Sequence, residues 1–132
     1  MTTRQPHEVI QSVRVPRLGP YSQAVRVGNL VFTAGQPGVD PVSGHTAGLT
    51  FKTQARQAFA NLRAVLEDAG TSLEKVVKVT CFITDPTAFS SLNELFTEFF
   101  PEAPPVRSVP VVALPKGLLF SVEAIAVAGD DV

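Results

Sequence analysis

Apolar residues recur at helical spacing in two stretches of the chain. The first stretch begins near Thr50, and Gly70 follows it as a stop signal. Its apolar face comprises Ala55, Ala58, Phe59, Leu62, Val65, Leu66 and Ala69. The second stretch follows Asp85 and Pro86, which are typical of a helix N-terminus, and Pro101 ends it. Its apolar face comprises Phe89, Leu92, Leu95, Phe96 and Phe99. The pattern therefore predicts two amphipathic helices.

Runs of β-branched and aromatic residues predict strands around these helices. Residues 24–27 and 30–33 flank Gly28-Asn29, a two-residue connection that predicts a tight hairpin. Residues 76–83 form a longer run, and residues 8–12 are compatible with a short edge strand. The chain therefore carries strands before, between and after its helices.

The last β-rich stretch, residues 104–127, is interrupted by Leu-Pro-Lys-Gly and predicts a second hairpin. Each half carries one charge within an apolar run, Arg107 in the first and Glu123 in the second. An odd number of loop residues centred near Pro115 would put the two side chains on one face, almost opposite each other. A two-residue turn would put them on opposite faces. The sequence leaves this register open, and an oligomer offers another way to join the two charges.

The order of elements predicts one α+β domain over residues 1–132, with about six strands in a mixed sheet and both helices on one face. The other face is expected to carry apolar side chains. The residues assigned to it are Val77, Val79, Val109, Val111, Ile125 and Val127. Such a face is too apolar to remain in water, so the pattern predicts a homo-oligomer.

Composition excludes several classes of function. The net charge is −1 and there is no run of Lys or Arg, which argues against a nucleic-acid or membrane surface. Cys81 is the only cysteine and predicts a buried thiol, while His7 and His45 have no neighbours at ligand spacing. No metal or cofactor site is predicted. The N-terminus MTTRQPHEV lacks the apolar core of a signal peptide, and no stretch is long enough to span a membrane, so cytoplasmic residence is expected.

Five short motifs occur in an order that resembles the RidA (YjgF/YER057c/UK114) family. They are GPYSQAV at 19–25, FTAGQ at 32–36, QARQAFANL at 54–62, PPVRS at 104–108 and VEAIAV at 122–127. The resemblance covers nearly the whole chain. It implies a chorismate-mutase-like fold and a homotrimer, with the sheets packed around a central axis and the sites in clefts between subunits.

The resemblance also implies roles for individual residues. Arg107 matches the substrate-binding arginine of the family, in keeping with the ability of a guanidinium to bind a carboxylate through two parallel hydrogen bonds. Glu123 matches the glutamate that orients or activates a water molecule, and Tyr21 the tyrosine that covers the ligand. Asn93 matches an asparagine near the site, and Gly35 a glycine whose backbone lies close to the ligand.

Two positions depart from the family pattern. Ala34 stands where many members have a small hydroxyl residue, so one possible hydrogen bond to the substrate is missing. Val109 stands where many members have cysteine. The resemblance implies that this position acts through its backbone carbonyl, which valine retains, whereas a mechanism that needs a thiol is excluded.

The implied activity is hydrolysis of 2-imino acids such as 2-iminopropanoate and 2-iminobutanoate to 2-oxo acids and ammonia, without a cofactor. The implied ligand is a small carboxylate-bearing imine, enamine or 2-oxo acid. Deamination of another enamine or imine, such as 2-aminomuconate, remains an alternative. So does non-catalytic binding of small carboxylates such as 2-oxobutanoate. The ribonuclease or translation-inhibitor activity attributed to some relatives is disfavoured by the lack of a basic stripe.

Overall fold

The computed structural model describes residues 7–128, which form one mixed sheet with two α-helices on one of its faces, as predicted. The strands are β1 (Glu8–Ile10), β2 (Ala24–Val27), β3 (Leu30–Thr33), β4 (Gln36–Pro37), β5 (Val76–Ile83), β6 (Val106–Ser108) and β7 (Phe120–Val127). The helices are α1 (Phe51–Asp68) and α2 (Phe89–Phe99), and short 3-10 turns lie at Leu73–Lys75 and Pro86–Ala88. The N-terminal stretch from which cytoplasmic residence is predicted lies mostly outside the described residues.

Local sequence accounts for the limits of both helices. The side chain of Thr50 caps α1 by accepting a hydrogen bond of 3.2 Å from the backbone N–H of Thr53. The chain leaves α1 through Gly70, whose φ of 84° favours glycine. Asp85 caps the 3-10 turn rather than α2, and its carboxylate accepts a hydrogen bond of 2.9 Å from the N–H of Thr87. This hydrogen bond lowers the pKa of Asp85. The second helix therefore begins one short turn later than predicted.

The sheet has the strand order β1-β2-β3-β7-β5-β6, with the short β4 paired to β7 beside β3. All pairs are antiparallel except β5 with β6, which is parallel. The predicted hairpin of β2 and β3 is confirmed, and Gly28 in its turn has a φ of 58°. The short edge strand predicted within residues 8–12 is confirmed as β1.

The predicted hairpin over residues 104–127 is wrong, because β5 lies between its two arms. β6 runs parallel to β5, and beyond β6 the chain continues along the same strand: the N–H of Val112 donates to the carbonyl of Ile83 at 2.9 Å. The chain then turns back and enters β7 on the other side of β5. Sequence spacing favours pairing between neighbours, but β7 instead pairs with both β3 and β5.

The helices cover one face of the sheet and enclose the core with it. Phe59 of α1 lies at the centre, with its ring centroid 4.9 Å from that of Phe99 and 5.4 Å from that of Phe120. Fully buried side chains around it include Val31, Leu62, Leu66, Val79, Cys81, Leu92 and Val122. Within residues 7–128, neither helix is long and apolar enough to cross a membrane.

The other face of the sheet, called the open face here, is apolar but differs in membership from the prediction. Register places on it Val9, Val25, Val27, Leu30, Phe32, Ile125 and Val127. Val79 and Val109, which were assigned to it, pack instead with the core on the helix side. Val111 pairs with Ile83, whose side chain is buried on that same side, and Val77 is the extra residue of a bulge. Only Ile125 and Val127 of the predicted set have the expected orientation.

Candidate functional site

Arg107 lies on the edge strand β6, with its side chain held over helix α2. It pairs with the buried Val79, so the guanidinium points to the helix side of the sheet. One of its nitrogens, Nη2, donates a hydrogen bond of 2.6 Å to Oδ1 of Asn93. Its Cζ lies 4.8 Å from the ring centroid of Phe96 and 5.2 Å from that of Phe89. Two rings and one amide therefore hold the guanidinium in place.

The guanidinium of Arg107 retains most of its hydrogen-bonding capacity. An arginine side chain has five N–H donors, and Asn93 accepts from one of them here. The ion pairs within residues 7–128 involve Arg14, Lys52 and Arg56, and none involves Arg107. The side chain is half-buried, so its charge is partly shielded from water but remains accessible. This arrangement suits a planar anion that approaches from outside the chain.

Glu123 lies in the middle of β7, opposite Thr80, and its side chain is on the open face. It lines a cleft of about 140 Å³ together with Lys78, Thr80 and Ile125. Arg107 and Glu123 therefore lie on opposite faces of one sheet, and neither of the two hairpin registers left open by the sequence applies, because β5 separates the two strands. Within a single chain, these two charges do not form a common site.

Tyr21 and Gly35 line an open pocket of about 360 Å³, called the Tyr21 pocket here. The hydroxyl of Tyr21 accepts a hydrogen bond of 3.3 Å from the N–H of Leu18. A Cβ at Gly35 would lie 2.8 Å from Oγ of Ser121, so only glycine fits beside this serine without a shift. Ser121 precedes Glu123 by two positions on the same face of β7, which places the pocket about 7 Å from that residue along the strand.

The predicted site residues thus form two groups within the chain. Tyr21 and Gly35 lie at the Tyr21 pocket, next to Glu123 on the open face. Arg107 and Asn93 are joined by a hydrogen bond at the edge of the sheet, and Val109 follows on the same segment, partly buried against the core. The structure brings the members of each group together and leaves the two groups apart.

Sequence reasoning did not identify Ser121, Leu114 or Leu118, which also line the Tyr21 pocket. Ser121 had a usable signal, because it is two positions from Glu123 in an alternating strand and therefore shares its face. The sequence gives no such signal for the two leucines, because their loop lies beside the pocket only as a result of the strand order in the sheet.

Cys81 lies behind this site and takes no part in it as a nucleophile. Burial raises the pKa of its thiol to about 12, and the nearby Arg107 offsets this only in part. The thiol is therefore protonated at neutral pH. Within residues 7–128, no group of three or more His, Cys, Asp or Glu side chains is placed to hold a metal ion.

Comparison with known proteins relates this architecture to one family. The family model described as Endoribonuclease L-PSP matches residues 12–128. A RutC family protein of Pyrococcus abyssi is 45% identical over 121 residues, covering 90% of this chain and 95% of its own. The 2-iminobutanoate/2-iminopropanoate deaminase of Mus musculus is 39% identical over 124 residues, covering 92% of both chains.

A solved structure agrees with the relationship. The crystal structure of RidA from the Antarctic bacterium Psychrobacter sp. superimposes with a TM-score of 0.86 at 43% identity, covering 94% of this chain and 99% of that one. Sequence and fold thus agree over almost the whole chain. The chain belongs to the RidA family, described as Endoribonuclease L-PSP in its family model, whose members include proteins named as RutC, RidA and imine deaminases.

Proposed function

We propose that this protein hydrolyses 2-imino acids, such as 2-iminopropanoate and 2-iminobutanoate, to 2-oxo acids and ammonia. The observation that carries the proposal is the guanidinium of Arg107, which is oriented by Asn93 and two phenylalanine rings and has no ion-pair partner within residues 7–128. Such a group binds the carboxylate of a small acid through two parallel hydrogen bonds. The names of relatives that are 37–39% identical support the same activity.

Glu123 supplies the second part of the proposed chemistry. Its carboxylate lines an open cleft and forms no ion pair within the described residues. It orients a water molecule toward the imine carbon and accepts a proton as the oxygen–carbon bond forms. The proton then passes to the nitrogen and gives a carbinolamine. Glu123 next takes the hydroxyl proton and delivers it to the amine, so the carbon–nitrogen bond breaks and ammonia leaves as the carbonyl forms. The backbone carbonyl of Val109 provides a second acceptor for the water.

The proposed acceleration is mainly positional. These imines also hydrolyse in water without a catalyst, so the protein has only to hold the water and the imine carbon in line, with modest acid-base help. Tyr21 closes the pocket, and the backbone at Gly35 gives the ligand close access. None of these steps uses a cofactor.

The proposed site requires more than one chain. Arg107 and Glu123 lie on opposite faces of the sheet, so a ligand that contacts both must lie between subunits. The open face supplies a reason for assembly, because burying its valines, Leu30, Phe32 and Ile125 removes apolar surface from water. We therefore propose a homotrimer in which Arg107 of one subunit faces Glu123 of the next.

The trimer is tested by placing a charge on the open face. Val25 lies near the middle of that face, opposite Phe32, whereas Val42 is almost fully exposed in a loop. Val25→Lys is expected to convert the trimer into monomers and to abolish deaminase activity, because three buried ammonium groups would lack partners. The control Val42→Lys should leave both the trimer and the deaminase activity unchanged. Sedimentation velocity and the imine assay measure both properties, and a wild-type protein that sediments as a monomer at micromolar concentration would refute the assembly.

The same tests distinguish the proposed activity from two other functions. A different enamine or imine, such as 2-aminomuconate, would bind to the same site residues. This alternative stays open because Ala34 lines the Tyr21 pocket without a hydroxyl group that could bind the substrate. A non-catalytic binder of small 2-oxo acids would need Arg107 but not Glu123. The net charge of −1 gives no support to ribonuclease activity.

The proposed activity is tested by generating 2-iminobutanoate in situ with a threonine dehydratase and following the formation of 2-oxobutanoate. Addition of the protein is expected to remove the lag in 2-oxobutanoate formation in proportion to its concentration. Semicarbazide, which traps the imine, should yield less adduct when the protein is present. Unchanged traces in both assays would contradict the proposal.

A further inference from the structure

The Tyr21 pocket continues from the proposed reaction centre along one strand. Ser121 lines the pocket, and Glu123 lies two positions further on the same face of β7. A ligand whose imine carbon is next to Glu123 can therefore extend its side chain past Ser121 into the pocket. The residues that line the pocket would therefore contact the side chain of the substrate.

The pocket is larger than the smallest imino acids require. In a single chain, before a neighbouring subunit is added, its volume is about 360 Å³. The methyl group of 2-iminopropanoate or the ethyl group of 2-iminobutanoate would fill only a small part of such a space. Water left beside an unfilled apolar wall gives no gain in binding.

The wall of the pocket is apolar apart from the hydroxyl group of Ser121. The side chains that form it are those of Ala34, Pro37, Leu114, Pro115 and Leu118, together with the ring of Tyr21. The hydroxyl of Tyr21 is already engaged by the N–H of Leu18. Ala34 adds a methyl group rather than a hydroxyl. A polar substrate side chain would lose its water here for few hydrogen bonds, whereas an aliphatic or aromatic one would gain by burial.

The pocket wall is held in place from the core. Gln54 of α1 is buried, and its Oε1 accepts a hydrogen bond of 2.8 Å from the N–H of Leu119, next to Leu118. Its Nε2 donates to the carbonyl of Gly48 at 3.0 Å. One buried amide thus ties two loops to α1. The backbone beside Leu118 is therefore held before any ligand arrives, which lowers the entropic cost of binding.

We infer that the Tyr21 pocket selects 2-imino acids with branched aliphatic or aromatic side chains, in preference to those with methyl, ethyl or polar side chains. The inference rests on the proposed deaminase function and names the substrate class for the same site. Each CH₂ group buried in the pocket is expected to raise kcat/KM about fourfold. An isobutyl or benzyl side chain should therefore exceed ethyl by about tenfold or more.

The test uses a broad-specificity amino-acid oxidase, with catalase, to generate imines from alanine, 2-aminobutyrate, glutamine, leucine and phenylalanine. Semicarbazide trapping reports how fast the protein removes each imine. The leucine and phenylalanine imines are expected to give kcat/KM values about tenfold above that of 2-iminobutanoate. Equal or lower values for these two would overturn the inference and leave the deaminase proposal intact.

Variants of the wall and a binding measurement separate selectivity from turnover. Leu118→Asn should lower the ratio of kcat/KM for the leucine imine to kcat/KM for the 2-aminobutyrate imine at least about fivefold. If the Leu118→Asn protein does not fold, Leu114→Asn provides the same test. The matched control Leu49→Asn, at an exposed leucine outside the pocket, should keep the ratio. Calorimetry should show tighter binding of 4-methyl-2-oxopentanoate than of 2-oxobutanoate. Absence of turnover on every imine would contradict the deaminase function, and absence of this binding preference would overturn the selectivity even then.

Discussion

Arg107→Lys is expected to lower kcat/KM for 2-iminobutanoate at least about 100-fold while the fold remains native. An ammonium cannot provide the two parallel donors that match a carboxylate, and it lacks the planar surface that the guanidinium presents to the rings of Phe89 and Phe96. A loss of this size corresponds to about 2.7 kcal/mol of transition-state stabilisation, within reach of a charge-assisted bidentate pair. The coupled assay with a threonine dehydratase measures it, and circular dichroism and the unfolding temperature monitor the fold.

A matched control distinguishes the clamp from a general effect of replacing arginine. Arg56 is an exposed arginine of α1 that pairs with Glu98 of α2. Arg56→Lys retains a charge in that surface pair, so activity should stay within about twofold of the wild type. Native activity in Arg107→Lys would remove the basis for carboxylate binding by this residue. A second readout is the Kd for 2-oxobutanoate, which should weaken in parallel with kcat/KM.

Glu123→Gln is expected to lower kcat about 100-fold or more and to leave the affinity for 2-oxobutanoate nearly unchanged. The amide keeps the size of the side chain but cannot accept a proton from water, and a positioned proton acceptor typically contributes on the order of a hundredfold or more. The product analogue needs no proton transfer, so its binding should persist. Calorimetry and the coupled assay together give the two quantities, and Glu102→Gln, at an exposed position before β6, is the control.

Other outcomes for Glu123→Gln have distinct meanings. Equal losses of binding and turnover would indicate that Glu123 acts as an ion-pair partner of Arg107 in the assembled protein rather than as a proton acceptor. Unchanged binding and unchanged turnover would remove Glu123 from the chemistry. The case for function would then depend on Arg107 alone, which is what a non-catalytic carboxylate binder requires.

Features that depend on local sequence were predictable. The apolar stripe of α1, its end at Gly70 and the tight turn at Gly28 each follow from a few neighbouring residues, and each is present. The start of α2 was shifted because Asp85 and Pro86 are equally suited to begin a 3-10 turn. Local signals therefore identified elements better than their boundaries.

Strand order depends on contacts between distant residues, and there the prediction failed. Residues 106–108 and 120–127 look like the arms of a hairpin, yet β5 lies between them and accounts for both pairings. The resulting register decides which face carries Arg107. The sequence identified the two charges correctly as unusual within apolar strands, but it could not show that a single chain keeps them on opposite faces.

The burial of Cys81 has a consequence for how the protein would withstand oxidants. Its thiol lies under the sheet and stays protonated, so peroxide and electrophiles meet almost no thiolate there. Position 109 is a valine, so no thiol lies there either. The proposed chemistry relies on a guanidinium, a carboxylate and backbone carbonyls, which peroxide does not oxidise. We therefore expect the proposed deaminase activity to withstand peroxide better than the activity of an enzyme that depends on a cysteine thiolate.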